Sequence, residues 1–143
     1  MNERPPAQPE PTFNAVLGDA REHRRQGRRA EALQTYERAA AMARSAGDVQ
    51  GLAHALRHVS DLARELGRLP EALAAGQEAV GLLKAVDGGR RLDVANALRV
   101  TALALDALGR AEDARTCWQE ALAGYAQAGV EAGVAECEAR LAR

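Results

Sequence analysis

A seven-residue segment that begins with glycine occurs three times in the chain, and it restricts the fold more than any other feature. It reads Gly-Arg-Arg-Ala-Glu-Ala-Leu from Gly27, Gly-Arg-Leu-Pro-Glu-Ala-Leu from Gly67 and Gly-Arg-Ala-Glu-Asp-Ala-Arg from Gly109. The three glycines are therefore 40 and 42 residues apart. Because a period of this length is typical of stacked helical units, the chain is predicted to be a repeat array.

Residues at fixed distances from each glycine share a size, which predicts that every unit is a helical hairpin. The fifth and twelfth residues after the glycine are alanine in all three copies, so two helix backbones can approach closely. The ninth residue is large in the outer copies (Tyr36 and Trp118), where it should fill the core, but it is Gly76 in the middle copy. The repeated glycine favours the left-handed conformation that ends a helix.

The composition supports an all-α fold, because the chain has 33 alanines and 17 leucines but no isoleucine. We predict helices at about 12–26, 28–46, 48–66, 69–86, 90–108, 110–128 and 131–142. Residues 1–11 form a proline-rich flexible tail, and residues 12–143 form one domain. The domain divides into repeats at about 12–47, 48–88 and 89–129 and a capping helix at 130–142. The longer second spacing indicates an inserted turn at Asp87-Gly88-Gly89.

Several classes of protein are disfavoured by simple properties of the chain. It has no apolar run of the roughly 18 residues that span a membrane, and its start lacks the apolar region of a secretory signal. Its two cysteines form no disulfide framework, so a cytoplasmic location is expected. The net charge of −1 argues against a polycation built for nucleic acid. Eighteen arginines against one lysine favour a GC-rich, bacterial source.

Taken together, these motifs resemble those of tetratricopeptide repeats. The resemblance rests on the small residue before the turn, on Gly-Arg-x-x-Glu/Asp-Ala, and on the aromatic residue and alanine that follow it. It implies a right-handed α-α superhelix, or solenoid, of three hairpins plus a C-terminal capping helix. It also implies a non-catalytic interaction scaffold that needs no cofactor, in which the first helices line a concave groove for a peptide or partner segment.

Two departures from that family are visible. The repeats exceed its usual 34 residues, and its closing proline is replaced by Arg44, Lys84 and Ala126. The second helix of each hairpin should therefore run longer, as in the long-helix variant found in kinesin light chains and many bacterial regulators.

Helical geometry predicts which side chains face the groove. On the first helix of each hairpin, the stripe opposite the small packing residues should face the concavity. Besides their polar residues, these stripes include Leu17 and Leu103. Because five arginines and only two aspartates lie on these stripes, an acidic peptide is the favoured ligand. The carboxylate clamp known in the family does not carry over, since its first-repeat lysine and asparagine positions fall on Leu17 and Arg21. The predicted groove residues are Asn14, Arg21, Arg24, His54, Arg57, Asp61, Arg64, Asn96, Arg99 and Asp106.

The alternative interpretation of this surface is a solvated face with internal ion pairs. Asp61 could pair with Arg21, and Asp106 could pair with Arg64, as weak bridges between repeats. Even so, three arginines would have no acidic neighbour within the stripes, namely Arg24, Arg57 and Arg99.

Two further functions stay open from the sequence. The long second helices carry apolar residues (Leu82, Leu83 and Val86) that a homodimer could bury. Alternatively, another segment of the protein could fill the groove, and the proline-rich tail is the one feature of the chain that suits such a role.

The remaining groups of polar and reactive residues indicate no metal site, reactive thiol or nucleic-acid site. His54 and His58, with Asp61 one turn further, lack a fourth metal ligand and are flanked by arginines, so no metal site is expected. Cys117 and Cys137 are predicted to be buried, inert thiols. The basic cluster from Arg21 to Arg29 has no interleaved aromatic residues, so no nucleic acid partner is expected, and no membrane partner either.

Overall fold

A computed structural model describes residues 2–7, 9–86 and 91–143 of the chain. All regular secondary structure in these residues is helical. The helices are α1 (Phe13–Arg25), α2 (Arg29–Ala46), α3 (Val49–Glu65), α4 (Leu69–Ala85), α5 (Arg91–Ala107), α6 (Ala111–Ala128) and α7 (Glu131–Leu141).

Consecutive helices pack against each other along the whole array, and α3 also packs directly on α5. The pairs α1–α2, α3–α4 and α5–α6 are the three predicted hairpins, and α7 follows them against α6. The prediction of an all-α solenoid is therefore confirmed. The described residues of the tail, 2–7 and 9–11, lie outside the helices and are exposed.

The repeated glycines end the first helix of each hairpin, as the sequence predicts. Gly27, Gly67 and Gly109 have φ of 76°, 78° and 75°, in the left-handed region where glycine is favoured. The arginine after each glycine donates its backbone N–H to a carbonyl five residues back, as Arg28 does to His23 at 2.8 Å. This is the hydrogen-bonding pattern that closes helix C-termini.

The turn between the first two hairpins is built from Gly47 and Asp48. Gly47 has a φ of 69°, and the Asp48 side chain caps α3 by accepting the backbone N–H of Gly51 at 2.9 Å. Gly129 ends α6 with a φ of 73° before α7 begins. The inserted turn predicted at 87–89 lies outside the described residues.

Alanines, leucines and valines make up most of the core, together with the aromatic side chains of Tyr36, Trp118 and Tyr125. The repeated alanines at the fifth and twelfth positions are all fully buried. Tyr36 and Trp118 are 1% and 2% exposed, so the prediction that they fill the core is confirmed. At the equivalent place, Gly76 lets α4 approach α5 so closely that an added Cβ would lie 2.6 Å from Thr101 Oγ1.

Helix α7 caps the array with one buried side. Cys137 is fully buried, as predicted, and Val134 and Leu141 pack against the core. Gly133 faces the Tyr125 ring so closely that no Cβ would fit there. Cys117 is only half-buried, so its predicted burial is only partly correct.

The second helices do not expose the apolar face that the homodimer hypothesis used. Leu83 is buried in the core, and Leu82 and Val86 are half-buried. The outer surface of α2, α4 and α6 instead carries ion pairs at equivalent repeat positions, Arg44–Glu78 at 2.6 Å and Lys84–Glu120 at 2.8 Å. The homodimer therefore stays a prediction, and the apolar surface that it could bury is smaller than the sequence indicates.

No helix in the described residues combines the length and apolar character that a membrane crossing requires.

Candidate functional site

The predicted groove residues lie on α1, α3 and α5, where most of their side chains reach the surface. Arg21 and Asn14 are exposed, and His54, Arg57 and Asn96 are half-buried.

Leu17 and Leu103 depart from the predicted stripe because both side chains belong to the core. The two leucines anchor α1 and α5, and the polar residues beside them form the accessible surface.

The acidic residue Asp61 makes different ion pairs from those expected. It pairs with Arg64 one turn along α3 at 3.0 Å and with Arg24 of α1 at 3.7 Å, so the predicted pair with Arg21 is wrong. Arg24 also donates to Glu65 at 3.0 Å. Glu65 lies one turn beyond Asp61 on the same face of α3, which is the sequence signal that could have identified it.

Asp106 also makes an internal contact that was not predicted from the sequence. Its carboxylate accepts the indole N–H of Trp118 at 2.8 Å, so the predicted pair with Arg64 is wrong. The buried indole N–H needs an acceptor, and Asp106 at the end of α5 supplies it.

Arg99 has a carboxylate partner outside the groove stripes. Its guanidinium donates through Nε and Nη2 to both oxygens of Glu136 in α7, with Nη2 and Oε2 3.1 Å apart. The hydrogen bond to Glu136 raises the pKa of Arg99.

The repeat position of Glu136 can be read from the sequence. The number of residues from the turn glycine Gly129 to Glu136 equals the number from the turn glycine Gly47 to His54. Glu136 therefore stands at the repeat position of His54 and Asn96, which the sequence could have revealed.

Asn96 occupies that same repeat position on α5 and is already hydrogen-bonded. Its side-chain oxygen accepts the Tyr125 hydroxyl at 2.7 Å. Burial raises the pKa of Tyr125 to about 12, although nearby Arg99 and Arg57 act against this change. The phenol is therefore a stable donor, and it holds the Asn96 amide in place.

Arg21 and Arg57 differ from the other groove arginines. Neither makes an ion pair with a carboxylate in the part of the chain that the structure describes. The charges of both also help to lower the pKa of His54, after the larger effect of burial, and Asp93 opposes them. The two guanidinium groups thus act on a common region of the groove.

A cavity of about 190 Å³ opens beside Arg57, between α3, α4 and α5. It combines apolar walls with polar and charged groups of both signs. Its lining residues are Gln50, Ala53, His54, Arg57, Leu83, Asp93 and Ala97.

The two histidines of α3 lie close to Arg57, whose charge helps to lower the pKa of both. The His54 and His58 rings are 4.8 Å apart, edge to face, and His58 stacks on Tyr36. Burial, followed by the charge of Arg57, lowers the pKa of His58 to about 3. Among the described residues, no three His, Cys, Asp or Glu side chains come together as a metal site would require.

Comparison with known proteins identifies the family. A family model described as tetratricopeptide repeat matches residues 20–85 and 51–127, two overlapping regions that together cover most of the chain. A search of curated proteins found no match. Repeats of this kind generally mediate protein–protein interaction and typically form non-catalytic scaffolds. With its three glycine-closed hairpins and this match, the chain belongs to the tetratricopeptide repeat family.

Proposed function

We propose that this protein is an interaction module that binds an acidic segment of a partner protein in the groove around Arg21 and Arg57. The observation that carries the proposal is the different pairing of two equivalent arginines. Arg57 and Arg99 occupy the same position in successive repeats, and only Arg99 has a carboxylate partner within the described residues.

The repeat register explains this difference. The residue that binds Arg99 is Glu136, and its equivalent one repeat earlier is Asn96. Asn96 carries no charge, and its side-chain oxygen already accepts a hydrogen bond from Tyr125. An acidic residue of a partner can therefore bind beside Arg57, at the position that Glu136 fills beside Arg99. The Arg99–Glu136 pair is an internal example of such a contact. A guanidinium that binds both oxygens of a carboxylate is among the stronger polar contacts in proteins.

The cavity beside Arg57 suits an acidic side chain with an aliphatic stem. Ala53, Leu83 and Ala97 offer apolar walls to methylene groups, and Gln50 adds a polar group. His54 is neutral near pH 7 because its pKa is lowered, so its ring can donate or accept one hydrogen bond without adding charge.

The charge balance points to Arg21 and Arg57 as the positions of acid binding. Arg24, Arg64 and Arg99 are neutralised by carboxylates of the same chain, which lowers the positive charge that the stripes alone suggest. The two remaining guanidiniums create a small cationic region on a protein whose net charge is −1. Such a region favours an acidic segment, and salt should weaken its binding.

The test measures binding of fluorescein-labelled octaglutamate by fluorescence anisotropy, with octaglutamine as the uncharged reference. The variant carries Arg21→Glu and Arg57→Glu. We expect octaglutamate to bind the wild-type protein at low salt and octaglutamine to bind much more weakly. We expect the variant to lose at least tenfold in affinity for octaglutamate, which equals about 1.4 kcal/mol.

The matched control carries Arg38→Glu and Arg68→Glu, which change the net charge equally at two exposed positions outside the groove. Circular dichroism should give the wild-type helix content for both variants. Equal losses of affinity in the two variants would mean that net charge, and not the groove, governs binding. Equal binding of octaglutamate and octaglutamine by the wild type would also contradict the proposal.

A further inference from the structure

We infer that Arg99 is a third acid-binding position of the groove and that Glu136 of the capping helix occupies it as an internal competitor. The inference rests on the proposed function and extends it. It makes α7 a regulator of how far along the array an acidic partner segment can bind.

The contact has the geometry of a ligand held by a groove arginine. Arg99 occupies on α5 the stripe position that Arg57 occupies on α3, and Glu136 reaches it from α7 with both carboxylate oxygens. The two residues are 37 positions apart in sequence, so the pair forms only when α7 is docked. About a third of each side chain, 34% for Arg99 and 31% for Glu136, is exposed, so a partner carboxylate can reach the guanidinium.

The docking of α7 does not depend on this pair alone. Its buried face is anchored by Cys137, which is fully buried, and by the contact of Gly133 with the Tyr125 ring. Helix α7 also packs against α6. Removing the Glu136 charge should therefore leave α7 in place and leave Arg99 without its partner.

Effective concentration explains why Glu136 excludes a free carboxylate from Arg99 but can be displaced by a tethered one. A carboxylate fixed on a docked helix faces Arg99 at an effective concentration in the millimolar range or above, so a single free acid cannot displace it. A segment already bound at Arg57 has a comparable advantage. Neighbouring helices of such arrays lie about 8–10 Å apart, a distance that about three residues of extended chain can span.

These distances define the partner that the inference implies. It is an extended segment in the polyproline II conformation, with one acidic residue at Arg57 and a second about three residues later, on the same face of the segment, at Arg99. The second contact forms only by exchange with Glu136. The exchange replaces one carboxylate by another, so the partner gains less from Arg99 than it would from an unoccupied arginine.

The test compares Glu136→Gln with wild type in the octaglutamate assay. Because the variant releases Arg99, we expect its affinity to rise about three- to tenfold. The double variant Glu136→Gln, Arg99→Gln should return to the wild-type affinity. The control Glu138→Gln removes the same charge from an exposed position of α7 and should change affinity less than twofold.

Hydrogen exchange of the α7 amides monitors whether the helix stays docked. Tighter binding by Glu136→Gln but not by Glu138→Gln, with α7 still protected, supports the inference. Unchanged affinity, or an equal gain in the control, overturns it. A loss of binding in Arg21→Glu, Arg57→Glu alongside an unchanged Glu136→Gln would leave the proposed function standing and remove only this extension.

Discussion

The ring of His58 in α3 lies parallel to the ring of Tyr36 in α2, with the two centroids 4.6 Å apart. Tyr36 is buried and His58 is half-buried, at the contact between the first and second hairpins. The Nδ1 atom of His58 is buried and has no hydrogen-bond partner in the described part of the chain. The neutral imidazole of His58 therefore packs as an uncharged flat ring on Tyr36. Protonating it would place a partly buried positive charge beside Arg57.

This burial predicts that acid destabilises the fold through His58. Its pKa is about 3 in the folded protein, whereas that of an ordinary solvated histidine is 6.5. Between these values the unfolded chain binds a proton that the folded protein does not, so the free energy of unfolding falls as the pH is lowered. At about pH 5 the loss amounts to about 2 kcal/mol, and it is absent above about pH 7.5.

Urea denaturation of His58→Phe should check this, because phenylalanine keeps the stack on Tyr36 and cannot be protonated. We expect the variant to lose less stability than wild type between about pH 7 and about pH 5. The control His23→Gln removes a histidine of α1 that lies outside this stack. An identical slope in wild type and His58→Phe would show that His58 does not cause the acid sensitivity.

Two glycines of α4 should respond in opposite ways to the same substitution. A Cβ at Gly76 would lie 2.6 Å from Thr101 Oγ1, and that hydroxyl is held by a hydrogen bond to the Ala97 carbonyl. A Cβ at Gly81 would meet nothing within 4 Å. We expect Gly76→Ala to lower the free energy of unfolding by about 1–3 kcal/mol and Gly81→Ala to raise it by about 0.5–1 kcal/mol. Thermal and urea denaturation would measure both, and a stabilised Gly76→Ala would contradict the close approach of α4 and α5.

The sequence predicted the helices well because the signals for helix ends are local. Every predicted helix end that falls on a described residue lies within one residue of the observed one. The glycine turns and the Asp48 cap act over a few residues and need no knowledge of the fold. The burial of Tyr36 and Trp118 also followed from repeat register alone.

The ion pairs of the groove could not be predicted in the same way. Arginine side chains are long, and their partners are decided by which acidic group lies within reach in three dimensions. Glu65 and Glu136 stood outside the predicted stripes, yet they pair with Arg24 and Arg99. Counting charges along a stripe therefore overestimated the free positive charge. Comparison of equivalent repeat positions shows that the position of Glu136 beside Arg99 corresponds to the uncharged Asn96 one repeat earlier, beside Arg57.

The hydrogen bond from Trp118 to Asp106 predicts a specific loss of stability. The indole is 2% exposed, so removing its acceptor leaves a buried N–H without a partner. We expect Asp106→Ala to cost about 1–3 kcal/mol and Asp106→Asn to cost less, because an amide oxygen can still accept. Asp113→Ala, which removes an exposed ion pair with Arg110, should cost at most about 1 kcal/mol. Equal effects of the two alanine substitutions in urea denaturation would show that the indole does not depend on Asp106.

Asp93 should limit the affinity of the groove for acids. It lines the same cavity as Arg57, and its charge opposes the effect of Arg57 on the pKa of His54. Removing it should strengthen octaglutamate binding about two- to fivefold at low salt, with a smaller gain at high salt because exposed charges are screened. The variant Asp93→Asn tests this in the anisotropy assay, with Asp19→Asn on the exposed surface of α1 as the control of equal charge.

A second measurement on Asp93→Asn separates a local effect from a general one. Because Asp93 raises the pKa of His54, the substitution should lower that pKa further, and an NMR titration of the His54 ring measures the change. A lower His54 pKa with unchanged octaglutamate affinity would place acid binding away from this cavity. Tighter binding together with a lower pKa would locate the bound carboxylate beside Arg57, where the register of the repeats puts the uncharged Asn96 in place of a glutamate.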